Sequence, residues 1–138
     1  MKQLIFSTRP FFTDVGLLIF RVGVSLMMMT HGWAKILNFS ERLGSFPDPL
    51  GIGSAFSLQL VIFAEFFCAI LVALGFATRL ALIPLIINMF VISFVVHAGE
   101  GFSDKELPLL FLLSWIFLFL RGAGIYSMDG QMMKRKKY

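Results

Sequence analysis

The sequence contains little charge, a single cysteine and two histidines, and each shortage excludes a class of protein. Charged residues make up 14% of the 138 residues and hydrophobic residues 58%, whereas soluble domains carry about 25% and about 45–50% respectively. A small soluble domain has too much surface to bury that apolar excess. Cys68 alone provides neither an intrachain disulfide nor a Cys-x-x-Cys pair for redox chemistry or zinc. The composition therefore indicates an integral membrane protein whose first partner is the lipid bilayer.

Four apolar stretches are long enough to cross a bilayer, which takes roughly 20 helical residues. They cover approximately residues 14–37, 54–76, 78–98 and 104–121. Gly75 stands where a helix-ending glycine belongs, Thr78 can cap the next helix, and Ser103 to Glu106 has the spacing of a capping box. The pattern predicts an all-α fold in which residues 1–138 form one membrane domain, an up-down four-helix bundle.

The distribution of lysine and arginine predicts the orientation, because loops rich in these residues stay in the cytoplasm. One side of the membrane receives eight of them, Lys2, Arg9, Arg79, Arg121, Lys134, Arg135, Lys136 and Lys137. The other side receives three, Lys35, Arg42 and Lys105. Both termini are therefore predicted to be cytoplasmic, with residues 122–138 as a basic tail beside anionic lipid headgroups of the inner membrane. The basic residues are not interleaved with aromatic ones, so nucleic acid is not an expected partner.

Ionisable residues inside the spans are the most informative ones, because each is costly there unless it is paired. In the first span, Arg21, His31 and Lys35 lie on one side of a helix that turns roughly 100° per residue. The same sector contains Leu17, Ser25, Met28 and Gly32, while Leu26, Trp33 and Leu37 lie on the far side. This stripe is predicted to face the interior of the bundle.

Glu65, in the second span, is the expected partner of Arg21. At about 1.5 Å per residue, Glu65 lies about 16 Å below the outer end of its span and Arg21 about 10 Å above the inner end of its own. These depths are adjacent, so the sequence predicts a buried Arg21–Glu65 ion pair. Asn88 lies near the middle of the third span.

The remaining polar residues of the spans gather toward the outer side of the membrane. His31, Lys35, His97 and Glu106 lie in the outer third, above Glu65 and Arg21, and these six residues are the candidates for an outward-facing pocket that binds a ligand or a proton. Simpler interpretations stay open for three of them. Lys35 can extend to the outer interface, Glu106 can close the capping box, and His97 can bond a carbonyl. The ion pair can likewise be purely structural.

A metal or haem site is not predicted. His31 and His97 are the only histidines, and two ligands fall short of the three or four that zinc takes. The sequence contains no flavin motif and no dithiol either. A catalytic residue is therefore not assigned, and an autonomous oxidoreductase is not expected.

Several separated motifs resemble those of the DoxX family of small bacterial membrane proteins. The first span contains Arg21-Val22-Gly23 and His31-Gly32-Trp33-Ala34-Lys35, and the second contains Glu65 and ends in Leu74-Gly75-Phe76-Ala77-Thr78-Arg79. The chain closes with Gly122-Ala123-Gly124-Ile125-Tyr126-Ser127-Met128-Asp129. In this last motif, Ala123 replaces the family's usual proline and Met128 its leucine.

The resemblance implies a four-span fold more firmly than it implies a chemistry. Some relatives are described as subunits of thiosulfate:quinone oxidoreductases or of other membrane redox assemblies. The first expectation is therefore a membrane subunit or accessory of a quinone- or sulfur-linked redox complex, with a quinone as the cofactor and a soluble or membrane redox partner, or further copies of the chain. More distant relatives act as chaperones, so the alternative is a membrane assembly factor or scaffold with purely structural buried charges. A carrier function is less favoured, because no inverted repeat is evident.

Overall fold

The structure is a computed structural model that describes residues 12–135, and this part of the chain is helical and contains no strand. The α-helices are α1 (Thr13–Leu37), α2 (Phe39–Arg42), α3 (Ser54–Ile62), α4 (Ala69–Leu74), α5 (Thr78–Val91), α6 (Phe102–Arg121) and α7 (Met128–Arg135). A π-helical segment, π1 (Phe63–Cys68), joins α3 to α4, and a second one, π2 (Ile92–Val96), extends α5. The predicted all-α fold class is confirmed for these residues.

Three helical runs in the described part of the chain are long and apolar enough to cross a membrane. They are Thr13–Leu37 with 25 residues, Ser54–Leu74 with 21 and Thr78–Val96 with 19. Helix α6 has a similar length of 20 residues, but its beginning is less apolar because Asp104, Lys105 and Glu106 follow one another there.

Helix α1 packs along π1 and α4, and α5 packs on π1 and α6. The core between them contains Met28, Leu82, Leu85, Trp115 and Leu118, all of them almost completely buried. The buried side of α1 consists of Leu17, Arg21, Ser25, Met28 and Gly32, so the predicted inward stripe is confirmed for these five residues. Leu26, Trp33 and Leu37 are exposed on the other side. Such an exposed apolar surface is what lipid would cover.

The loop before α3 is held by Asp48. Its carboxylate accepts hydrogen bonds from the backbone amides of Gly53 at 2.7 Å and Ile52 at 3.0 Å, and from the Ser57 hydroxyl at 2.8 Å. The amide of Gly53 contributes most to lowering the pKa of Asp48 below its ordinary value. The long connection is therefore fixed to the first turn of α3.

A glycine brings α1 against π1. A Cβ atom on Gly32 would lie 2.9 Å from the backbone carbon of Glu65 and 2.9 Å from the backbone nitrogen of Phe66. The first helix can approach the segment that contains Glu65 so closely only because residue 32 has no side chain.

Replacing Gly32 by alanine is therefore expected to destabilise the protein by about 1–3 kcal/mol, the usual cost of overpacking. Thermal unfolding in detergent would measure the change. Gly23→Ala on the same helix is the matched control, because its Cβ would meet nothing within 4 Å. Alanine there should be neutral or slightly stabilising, since it is the better helix former. Equal destabilisation by both substitutions would contradict the close approach at Gly32.

Candidate functional site

Arg21 and Glu65, the buried charged side chains of the described residues, lie in two separate clusters. The first, called the Glu65 cluster, consists of His31, Lys35, Glu65 and Asn88. The second, called the Arg21 cluster, consists of Arg21, Thr78, Asp129 and the backbone carbonyls of residues 123 and 126. In the described residues, Glu65 has its hydrogen bonds within the first cluster and Arg21 has its own within the second.

Glu65 is the centre of the first cluster. Its side chain is only 2% exposed, and its Oε2 atom accepts a hydrogen bond from Lys35 Nζ at 2.5 Å. Its Oε1 atom accepts a second one from Asn88 Nδ2 at 3.1 Å. Lys35 remains 18% exposed. The carboxylate thus joins α1, π1 and α5, and its position in a π-helical segment is typical of functional sites.

A cavity of about 180 Å³ opens beside this carboxylate. Its polar wall is formed by His31, Lys35 and Glu65, and its apolar wall by Met28, Met89, Ile92, Leu107, Pro108 and Phe111. The imidazole of His31 packs edge-on against the ring of Phe111, with 5.9 Å between the ring centroids. The cavity therefore presents the ammonium group of Lys35, the imidazole of His31 and the aromatic ring of Phe111 to one small ligand.

The predicted ion pair between Arg21 and Glu65 is wrong. Gly32, not Arg21, lies against the backbone of Glu65, and Arg21 precedes Gly32 by a distance of about 16 Å along the helix. Depths counted from the ends of each helix did not reveal this offset. Lys35, one turn beyond Gly32, is the residue that meets the carboxylate.

His97 and Glu106 lie outside the cavity. His97 follows π2, and its Nδ1 atom contacts the carboxylate of Glu100 three residues later. Glu106 is exposed on α6. The proposed capping box around Glu106 is also wrong, because α6 begins after Gly101 without a side-chain cap. The structure therefore brings together His31, Lys35 and Glu65 of the six candidates, and their role in binding stays a prediction.

Arg21 is held by backbone carbonyls rather than by Glu65. Its side chain is 1% exposed. The Nη1 atom donates to the carbonyl oxygen of Ala123, and Nη2 donates to that of Tyr126 at 2.8 Å. These carbonyls belong to the segment between α6 and α7. Gly75, with φ of 69°, ends α4 beside the same guanidinium, and a Cβ there would lie 2.6 Å from Arg21 Nη1.

Asp129 completes the Arg21 cluster by capping α5 from a distant part of the chain. Its carboxylate accepts hydrogen bonds from the amides of Ala77 at 2.8 Å and Thr78 at 2.9 Å, and from the Thr78 hydroxyl at 2.8 Å. Burial alone would raise the pKa of Asp129, but these bonds and the nearby charge of Arg21 together lower it. Thr78 was expected to cap α5; instead it is the first residue of the helix and donates to the cap.

Replacing Asp129 by asparagine is expected to lower the free energy of unfolding at pH 7 by about 1 kcal/mol, because both carboxylate oxygens accept hydrogen bonds and an amide keeps only one of them as an acceptor. Because the folded-state pKa is lowered, this stabilisation is present above about pH 4 and is lost as the pH falls through the folded-state value. Thermal unfolding at pH 7 and in acid should show a difference from the unsubstituted protein that shrinks in acid. Asp104→Asn, at an exposed position of α6, is the control. A difference independent of pH would contradict the capping role.

Asp129 was missed because a cap that lies 51 residues from its amide partner leaves no local pattern. The available signal was the closing motif, in which Ser127-Met128-Asp129 follows Gly124 by three residues.

Among the described residues, no group of three or more histidine, cysteine, aspartate or glutamate side chains is placed to hold a metal ion. The contacts of Glu65 are the ion pair with Lys35 and the hydrogen bond from Asn88.

Comparison with known proteins places these clusters in a family context. The sequence profile of the DoxX family matches residues 16–98. The chain is 27% identical to the inner membrane protein YqjF of Escherichia coli over 128 residues, 88% of this chain and 95% of that protein. It is 30% identical to an uncharacterized protein of Haemophilus influenzae over 92% of this chain and 95% of the relative. An uncharacterized membrane protein of Mycobacterium tuberculosis is 31% identical over 83% and 80%. No solved structure matches significantly.

Proposed function

The chain belongs to the DoxX family and is a multi-pass inner membrane protein, and from this premise we propose that it is the quinone-binding membrane subunit of a redox complex. The single observation that carries the proposal is the cavity beside Glu65, which combines a polar wall with an aromatic one. A quinone ring has the same division, since its two carbonyl oxygens accept hydrogen bonds and its faces are apolar.

Each polar residue of the cavity has a task in this proposal. Lys35 and His31 donate to the carbonyl oxygens of the ring, and Phe111 packs against its face. Glu65, which accepts a hydrogen bond from Asn88, positions the ammonium group of Lys35, which it contacts at 2.5 Å. Reduction of a quinone to the quinol takes two electrons and two protons. The electrons come from a partner subunit, and His31 passes the protons, because its two ring nitrogens can donate and accept them.

Tryptophan fluorescence can test the proposal, because Trp115 stacks on Phe111 with 6.1 Å between the ring centroids. The protein would be placed in lipid nanodiscs with Trp33 replaced by phenylalanine, and a short-chain quinone would be titrated in. Saturable quenching is expected, and His31→Ala should weaken binding about tenfold, the loss of a charge-assisted or strong neutral hydrogen bond. His97→Ala, outside the cavity, is the control. Absence of saturable quenching, or equal affinity in both variants, would reject the quinone site.

A non-enzymatic assembly factor or scaffold is the second candidate. It is favoured because both oxygens of Glu65 already accept hydrogen bonds, from Lys35 and from Asn88. Such a satisfied carboxylate can simply hold the helices together. The double variant Lys35→Met/Glu65→Gln distinguishes the two. A folded double variant that assembles a redox complex with unchanged quinone turnover would favour the scaffold, and a folded one that assembles it without quinone turnover would favour the cavity.

The proposed topology is an up-down bundle of four spans with both termini in the cytoplasm. Helix α6 is included as the fourth span, because residues 107–120 contain no charged side chain. The second and third spans are joined by only three residues, Gly75 to Ala77, which favours antiparallel neighbours. The excess of basic residues near the termini supports the orientation.

Single cysteines in a Cys68→Ala background can test this orientation. Ser45→Cys lies in the exposed loop before α3, and Lys134→Cys lies on exposed α7. A membrane-impermeant maleimide added to intact spheroplasts is expected to label residue 45 and to leave residue 134 unlabelled until the membrane is broken. The reverse pattern would overturn the orientation, and labelling of both in intact spheroplasts would overturn the even number of spans.

A further inference from the structure

A groove of about 440 Å³ lies between the end of α4 and the first turns of α7. Its walls are formed by Leu74, Tyr126, Ser127, Met128, Gln131 and Met132. Leu74, Met128 and Met132 are each about half exposed, so among the described residues their apolar surface is left largely uncovered. The groove neither touches the cavity beside Glu65 nor shares a lining residue with it.

The groove is a fixed feature, because α7 is attached to the ends of two other helices. The amide of Asp129 donates to the carbonyl of Gly75 at 2.8 Å, while its carboxylate caps α5. Gln131 Nε2 donates to the carbonyl of Ile125 at 3.2 Å. Met128, Gln131 and Met132 have the i, i+3, i+4 spacing of one helix face, and that face is the one that lines the groove.

The groove adjoins the end of a candidate membrane span. Leu74, in its wall, is the last residue of a helical run that is apolar and long enough to span the bilayer, which would bring the opening level with the end of the acyl chains on that side. Lys134 follows three residues after Gln131 and is therefore within about 60° of it around the helix. Arg79 and Arg121 are exposed near the same end of the bundle, and the sequence continues the basic run to Lys137.

We propose that this groove is a binding site for one phospholipid with an anionic headgroup. One acyl chain lies along Leu74, Met128 and Met132, and the phosphate is paired with Lys134. The apolar lining accommodates the acyl chain, and the basic residues favour a negatively charged headgroup. A lipid bound there would hold α7 against the end of α4. This inference is independent of the proposed quinone site, because it uses none of its residues.

Native mass spectrometry of the protein released from mixed micelles provides the test. With equal amounts of phosphatidylglycerol and phosphatidylcholine, the anionic lipid is expected to be retained about fivefold more, as a single favourable basic contact provides. Lys134→Gln should remove that preference, and because Lys134 is exposed, this variant should fold normally. Met132→Trp should reduce the retention of both lipids by filling the groove. Met133→Trp is the matched control, because Met133 is 65% exposed and lies off the groove.

Other occupants would be recognised by different outcomes. Equal retention of the two lipids, or equal loss in Met132→Trp and Met133→Trp, would overturn the proposal. Competition by inorganic phosphate at millimolar concentration would indicate a site for free phosphate and would also overturn it. So would a marked gain in lipid retention after deletion of residues 2–11, since that segment would then be the occupant of the groove.

Discussion

Replacing Arg21 by methionine is expected to lower the free energy of unfolding by about 3 kcal/mol, because two carbonyls lose a charged donor and a hydrogen bond to a charged group contributes about 1.5–3 kcal/mol. These are the carbonyls of Ala123 and Tyr126, which the guanidinium holds against α1. Asp129 would lose the nearby cation as well. Methionine fills a similar volume, so the loss reports the hydrogen bonds rather than an empty space.

Thermal unfolding in detergent measures this loss, and limited proteolysis provides a second readout. Proteolysis should cut the segment between α6 and α7 sooner in Arg21→Met, because that segment has lost its attachment. Arg79→Met is the matched control, since exposed Arg79 makes one hydrogen bond to the carbonyl of Phe119 at 3.2 Å. Arg21→Lys keeps the charge but not the two-pronged geometry and should give an intermediate loss. Equal effects at positions 21 and 79 would show that burial of Arg21 adds nothing to stability.

The sequence predicted the long apolar helical runs and the inward side of α1 because these depend on local patterns. Gly75 ends α4 with φ of 69°, as its position predicted. The stripe through Arg21, Ser25 and Met28 is buried, as the spacing of about 3.6 residues per turn requires. Both features are decided within a few turns of one helix, so one sequence is sufficient to reveal them.

The partners of the buried charges could not be predicted in the same way, because they depend on how far one helix is shifted along another. Gly32 determines this shift, because it lets α1 approach the backbone of Glu65 closely. The π-helical segment π1 changes the helical pitch beside it, and no residue type in the sequence predicts such a segment. Arg21 has carbonyl partners, and every residue carries a carbonyl. An acidic side chain is the obvious partner for a buried arginine, so the sequence favours Glu65 for Arg21, and it leaves Lys35 with two open interpretations, a pocket residue or one that extends to the outer interface.

The motifs that resemble the family acquire a physical explanation from the two clusters. Arg21, the turn that ends in Thr78 and the closing segment with Asp129 are far apart in the chain, yet they meet in the Arg21 cluster. His31, Gly32, Lys35 and Glu65 meet in the other. The Arg21 cluster fastens the segment between α6 and α7 to the end of α4 and the start of α5. The Glu65 cluster leaves a carboxylate beside a cavity, which makes it the candidate for function.

The two charges of the Glu65 cluster are expected to respond unequally to substitution. Lys35→Met leaves a carboxylate that is 2% exposed without its cation, and removing one partner of a buried pair costs about 3–5 kcal/mol. Glu65→Gln should cost less, about 1–2 kcal/mol, because Lys35 is 18% exposed and its flexible side chain can turn toward water. Glutamine also keeps an oxygen for the amide of Asn88.

A double-mutant cycle measures the coupling directly. The stability of Lys35→Met/Glu65→Gln should be lowered by less than the sum of the two single losses, because the uncompensated carboxylate is gone. Glu100→Gln, which removes the partner of His97 in a more exposed pair, is the control and should have a much smaller effect. Additive losses would mean that the pair contributes no coupling. A double variant as stable as the unsubstituted protein would show that the charges are retained for the cavity they face rather than for the fold, since the helices would then pack equally well without them.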